Sequence, residues 1–244
     1  MKFDDYLDEV RNQADALRAA AVAAGPDAVV PTCQDWTVTR LVRHLAKVYN
    51  WVIHSLDTAP GGTRPHPDEP PEGWDETLAW WDGQLDTMLT RLRERGEHGP
   101  AWTFGDSGTA GFWARRQAHE TAIHRLDAEH ALAGSGASDA VPGLVFAPEL
   151  AADGVDEAVT FMFPRSSKPG ERSGTVLFHA ADAGRAWLVT LRPGEAPEVG
   201  PATEIDTDAS VVGTADAVYR AVWRRPSTAV VSGDHTLVAA LRTP

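Results

Sequence analysis

"RRQAHETAIHRLDAEHA", residues 115–131, carries three histidines, two glutamates, an aspartate and three arginines. Its spacing predicts one helix, about Thr109–Leu132. A zinc-protease reading needs H-E-x-x-H, with both histidines on one helical face. Here His119-Glu120 is followed by His124, one residue too late. At 100° per residue His119 and His124 point about 140° apart and cannot share an ion on a regular helix. Glu120 and His124 do share a face, being four residues apart, and Asp127 falls on the same side about 20° from Glu120. Trp113 and Arg116 lie there too. His119 lies about 100° from Glu120, beside Phe112 and Ile123, where a packing role is expected. An i,i+4 Glu–His pair is the spacing at which a helix presents two ligands to one metal. It is equally the spacing of an ordinary surface pair.

Three further helices are expected before this one. Residues 2–24 place Phe3, Tyr6, Leu7, Val10, Ala14 and Leu17 at helical spacing. Gly25-Pro26 ends that run. A second helix begins near Thr37, with the stripe Val38, Leu41, Val42, Leu45, Val48, Tyr49 and Val52. A third spans about Trp74–Arg95. "APGGTRPHPDEPPEG", 59–73, is a Pro/Gly loop, and 96–108 a second loop. Four helices with one long connection suggest an up-down bundle. On the second helix His44 borders the apolar stripe, about 20° from Trp51 on the wheel. Spacing alone leaves it open whether His44 is a half-exposed histidine or a third ligand. With Glu120 and His124 it would complete a 2-His-1-carboxylate set with open positions.

The composition changes at "AGSGASDAVPG", 133–143, a turn-rich linker. Beyond it "AVTFMF", "GTVLFHA", "RAWLVTL" and "STAVVSG" read as strands, and 214–225 and 234–241 as helices. The expected fold is α+β: a helical bundle, 1–133, followed by a small α/β domain, 134–244.

The 244 residues hold 35 acidic and 22 basic side chains, a net charge of -13. Polyanions would be repelled, which argues against nucleic acid and anionic membranes as partners. One cysteine, Cys33, permits no internal disulfide and no Cys-rich zinc knuckle, and a reducing cytoplasm is the natural compartment. The N-terminus lacks the pattern of a signal peptide, and no apolar run reaches membrane-spanning length. Cys33 precedes the second helix with no motif to supply a base, so it is not expected to be a nucleophile.

"CQDWTVTRLVRHL" (33–45) and "AGFWARRQAHETAIHRLDAE" (110–129) resemble the mycothiol-dependent maleylpyruvate isomerase family, within the DinB-like metal-binding four-helix bundles. "GTADAVYRAVWRRPS" (213–227) is similar to that family's C-terminal domain. The strings are shared by many actinobacterial paralogues and do not select a substrate. The resemblance implies a divalent metal, usually zinc, on His44, Glu120 and His124, with Asp127 steadying a ligand or a bound water. It implies an important arginine late in the chain, best matched by Arg225, with Arg224 adjacent. It implies mycothiol as thiol cosubstrate and a small-molecule electrophile, in a monomer or homodimer. Thiolate addition, rotation and elimination would isomerise a cis-enedione acid such as maleylpyruvate. An electrophile with a leaving group would instead give S-transfer. The rival expectations are a metal-dependent hydrolase that activates water and a non-catalytic binding protein on the same bundle.

Overall fold

The computed structural model describes residues 1–134, 144–202 and 206–244. The chain divides into two compact units, Met1–Pro142 and Gly143–Pro244. From residue 135 onward the expected linker lies outside the described residues.

The first unit is four helices: α1 (Phe3–Ala24), α2 (Val38–Leu56), α3 (Trp74–Arg95) and α4 (Ala110–Ala133). Thr37 caps α2 by accepting the Arg40 amide through its hydroxyl. Leu7, Val10 and Leu17 of α1, Leu41, Val42, Leu45 and Tyr49 of α2, and Trp81, Met88 and Leu92 of α3 are buried around Trp113, Ala114 and Ala118 of α4. α4 is buried on nearly every side and carries seven buried polar or charged residues, from Arg116 to His130. Burying such groups is costly without partners, so their presence on the central helix marks a polar network.

Simple alternation of helix direction is broken once in this bundle. Asn50 of α2 donates to the Gln84 side-chain oxygen of α3 at 2.9 Å, and Asp57, just past α2, pairs with Arg91 near the end of α3 at 2.6 Å. The ends of α2 and α3 therefore coincide, and the two run parallel. α4 runs against α2, since Glu120 meets His44 and Trp113 meets Trp51. It runs with α1, since Arg125 bonds Gln13 and His119 packs on Tyr6. The connection 57–73 makes this possible. Extended at about 3.3 Å per residue, it has ample reach to return along α2, whose 19 residues span roughly 28 Å.

The second unit has a five-stranded sheet of order β3-β2-β1-β4-β5, formed by β1 (Gly174–Ala180), β2 (Arg185–Leu191), β3 (Glu198–Pro201), β4 (Ala209–Gly213) and β5 (Val230–Gly233). β1 and β4 are parallel, and the other pairs antiparallel. Val176, Phe178 and Ala180 alternate inward with Trp187, Val189 and Leu191. The helices are α5 (Pro148–Glu157), α6 (Phe163–Ser166), α7 (Ala215–Val222) and α8 (His235–Ala240). α5 packs on α7 across Gly154, where a Cβ would sit 2.3 Å from the Tyr219 ring.

One expected strand is not a strand. "AVTFMF" continues α5 as a π-helical turn, Ala158–Met162, that leads into α6. Its β-branched and aromatic residues suggest extended chain, but Ala158, Val159, Met162 and Phe163 are buried at helical spacing. The Phe163 amide reaches the Ala158 carbonyl, and the next residue, Pro164, has no amide hydrogen to continue a regular ladder. β3 and β4 are not among the expected strands; β3 has only four residues and ends in Gly-Pro. α7 stops at Val222, short of the expected 225, because Arg224 takes a left-handed φ of 57°. Among the described residues no helix is long and apolar enough to cross a membrane.

Candidate metal centre

The sequence-selected ligands His44, Glu120 and His124 converge. α2 carries His44 to α4, where His44 Nε2 lies 3.0 Å from Glu120 Oε1. His124 Nε2 lies 3.4 Å from the same oxygen. One carboxylate oxygen thus faces two ring nitrogens, and the three donor atoms fall within 4.8 Å of one another. Exposure decreases inward: the side chains of His44, Glu120 and His124 are 34%, 19% and 11% exposed. The cluster therefore opens to solvent on the α2 side.

Neighbouring groups fix which atoms face the cluster. Arg116 donates to Glu120 Oε2 at 2.9 Å, leaving Oε1 for the histidines. Asp127 Oδ2 lies 2.9 Å from His124 Nδ1. A carboxylate on Nδ1 favours the tautomer whose Nε2 lone pair is free, the arrangement a metal-binding histidine needs. Asp127, fully buried, is itself held by the Thr32 hydroxyl at 2.5 Å and the Cys33 thiol at 3.3 Å. Trp36 covers the cluster, stacked on His124 at 5.9 Å and tilted against His44 at 5.1 Å.

The electrostatics follow from these contacts. Burial works against the Glu120 charge, but hydrogen bonds from His124 and His44, then the charges of His124 and Arg116, hold its carboxyl well below the usual range. Burial likewise works against a charged His124. Hydrogen bonds to Asp127, Cys33 and Glu120 outweigh it and hold the imidazole well above the usual histidine range. The site thus keeps a carboxylate ionised beside a nitrogen strongly drawn to a proton. A divalent cation would satisfy the same field. Two imidazole nitrogens and one carboxylate oxygen, with ligand orientation already imposed, fit such an ion.

Thr32, Cys33 and Trp36 were not selected from the sequence. They sit in the α1–α2 connection, folded back by the Val29–Thr37 bridge and by Asp35 in a left-handed conformation, φ 61°. Aspartate tolerates that region better than most residues. The run "TCQDWT" ahead of an N-cap was the available signal, but no periodicity aims a loop. His119 is fully buried against Tyr6, away from the cluster. In the second unit the Arg225 guanidinium donates to the Trp223 carbonyl at 2.7 Å. Arg224 donates to the carbonyls of Ala239 and Leu241.

The model of the mycothiol maleylpyruvate isomerase N-terminal domain matches residues 7–129, and that of the MDMPI C-terminal domain matches residues 149–240. Two solved structures share the fold: a mycothiol-dependent maleylpyruvate isomerase (TM-score 0.58, 14% identity) and a histidine-to-alanine mutant of the mycothiol-dependent maleylpyruvate isomerase (TM-score 0.61, 13% identity). Each match covers 95% of this chain and 93% of the other. No curated protein matches the sequence. With both domain models spanning their respective halves, the chain belongs to the mycothiol maleylpyruvate isomerase family.

Proposed function

We propose that this protein is a mycothiol-dependent enzyme of the maleylpyruvate isomerase type, with one divalent metal, zinc by donor preference, held by His44, Glu120 and His124. What carries the reading is the Glu120 oxygen that meets both imidazoles while Asp127 orients the inner one. When bound on His44, Glu120 and His124, a divalent ion would supply the chemistry that holds a thiol deprotonated at neutral pH, where a free thiol, with a pKa near ~8.5, is mostly protonated.

The chain's own residues do the rest. Arg116 fixes the Glu120 carboxylate, so that one oxygen remains for the ion. Asp127 keeps a proton on His124 Nδ1 and the lone pair on Nε2, with Thr32 and Cys33 holding Asp127. Trp36 shields one side from water, which strengthens the local electrostatics. Cys33 is a donor to Asp127, and the reacting thiol is the cosubstrate's. In this reading Arg225 pairs with a carboxylate of substrate or thiol, or with charge developing on an enolate.

The test is metal analysis of the purified protein, followed by turnover of cis-enedione acids with mycothiol, with glutathione and with no thiol. One metal per chain and turnover only with mycothiol are expected. Constant thiol during turnover denotes isomerisation, and consumed thiol denotes S-transfer. Turnover without thiol would replace this reading with a hydrolase.

A further inference from the structure

The second unit contains a cleft that includes none of the candidate metal ligands. Two adjoining hollows, of about 530 and 560 Å³, share His235, Ala239 and Arg242. One is mainly apolar, with Phe163, Phe178, Val211, Val231, Val238 and Leu241 on its walls and Arg224 beside them. Phe163, Phe178, Val211 and Leu241 belong to the buried core between sheet and helices, so the floor of this hollow is the apolar core itself. The other is cationic, lined by Lys168, Arg172 and Arg242 with His235 beside them. These side chains belong to exposed residues; Arg172 donates to the Pro169 carbonyl at 3.1 Å, and its charge acts on Asp234. Asp234, on which the Arg172 charge acts, also caps α8 by accepting the Thr236 amide. In a chain with 35 acidic and 22 basic side chains, three cations gather around one mouth. An apolar interior of this size, rimmed by convergent polar groups, is the usual form of a small-molecule site.

We propose that this cleft binds an amphiphilic anion, an apolar chain or ring carrying a carboxylate or phosphate, with the head at Lys168, Arg172 and Arg242 and the tail between the sheet and α8. The site stands independently of the metal centre and of the thiol-dependent reading. Chain length and head charge should then act separately. Burial of each methylene is worth about 0.8 kcal/mol, or roughly fourfold in affinity. The gain should continue until the apolar hollow is full.

The experiment is calorimetric titration of the full-length protein with hexanoate, octanoate and decanoate, with octyl phosphate, and with octanol as the uncharged control. Affinity should rise about fourfold per methylene, and octanol should bind at least tenfold more weakly than octanoate. Octanoate against octyl phosphate decides which head the rim prefers. Lys168→Gln, Arg172→Gln and Arg242→Gln together, on exposed residues, should abolish the preference for the anion over octanol. Val238→Trp should block the longer chains, and His44→Ala should leave binding unchanged. No binding, equal affinity for octanol and octanoate, or a flat chain-length series would each overturn the proposal.

Discussion

His124 is where the candidate site is decided. Its Nε2 faces Glu120 and its Nδ1 faces Asp127, so it has one nitrogen for an ion and one for orientation. His119, only five residues earlier, is turned into the bundle against Tyr6. His44→Ala and His124→Ala should therefore lose most of the bound metal, whereas His119→Ala should keep it. Elemental analysis of each variant checks this, and equal loss from His119→Ala would mean the wrong histidine was chosen. Asp127→Asn should retain metal with affinity or activity reduced ~10–100-fold, the usual size of an effect exerted through a ligand. Competition with a chelator measures it, and unaltered affinity and rate would remove Asp127 from the site. Cys33→Ala should keep one metal per chain and remain active, since the thiol holds Asp127 alongside Thr32. Complete loss of turnover with metal retained would make Cys33 a reacting group.

At the scale of elements, two helices carry the ligands and one loop completes the site. α4 was readable because its Glu–His pair obeys helical spacing. The loop ahead of α2 was not, because its course depends on the Val29–Thr37 bridge and the left-handed Asp35. Segment 158–163 shows the opposite failure. Its residue types favour a strand, yet α5 runs into it and its apolar residues bury at helical spacing. Tertiary packing outweighs intrinsic β-propensity, whose whole range is only about 1 kcal/mol. The α5–α7 contact is equally specific. Gly154→Ala should destabilise the protein by about 1–3 kcal/mol through overpacking against Tyr219, read as a lowered thermal midpoint. An unchanged midpoint would show that the helices can move apart at no cost.

At the scale of the whole molecule, the candidate ligands and every group that orients them lie in the first unit. Residues 1–142 expressed alone should fold, as judged by circular dichroism, and bind one divalent ion. A folded fragment that binds none would show that the ligand set is incomplete. Arg225 belongs to the other unit, and its proposed role is with carboxylate and not with metal. Arg225→Ala in the full chain should keep full metal occupancy and lose most turnover. Loss of metal in that variant, or full turnover, would contradict the separation of roles.

The sequence alone determined the four helices of the bundle and the faces of Glu120, His124 and His44, because amphipathic spacing is a local property. It also marked β1 and β2, whose alternation is regular, and its family strings pointed to the ligand set. Only tertiary structure decided what is non-local. α2 and α3 run parallel because a Pro-rich connection is long enough to return. His44 reaches Glu120, 76 positions away in sequence, because their two helices are packed side by side. Thr32, Cys33 and Trp36 meet Asp127, His124 and His44 because a loop without periodicity is pinned by backbone hydrogen bonds. Periodicity records which way a side chain faces on its own element, and the packing of several elements settles what it meets.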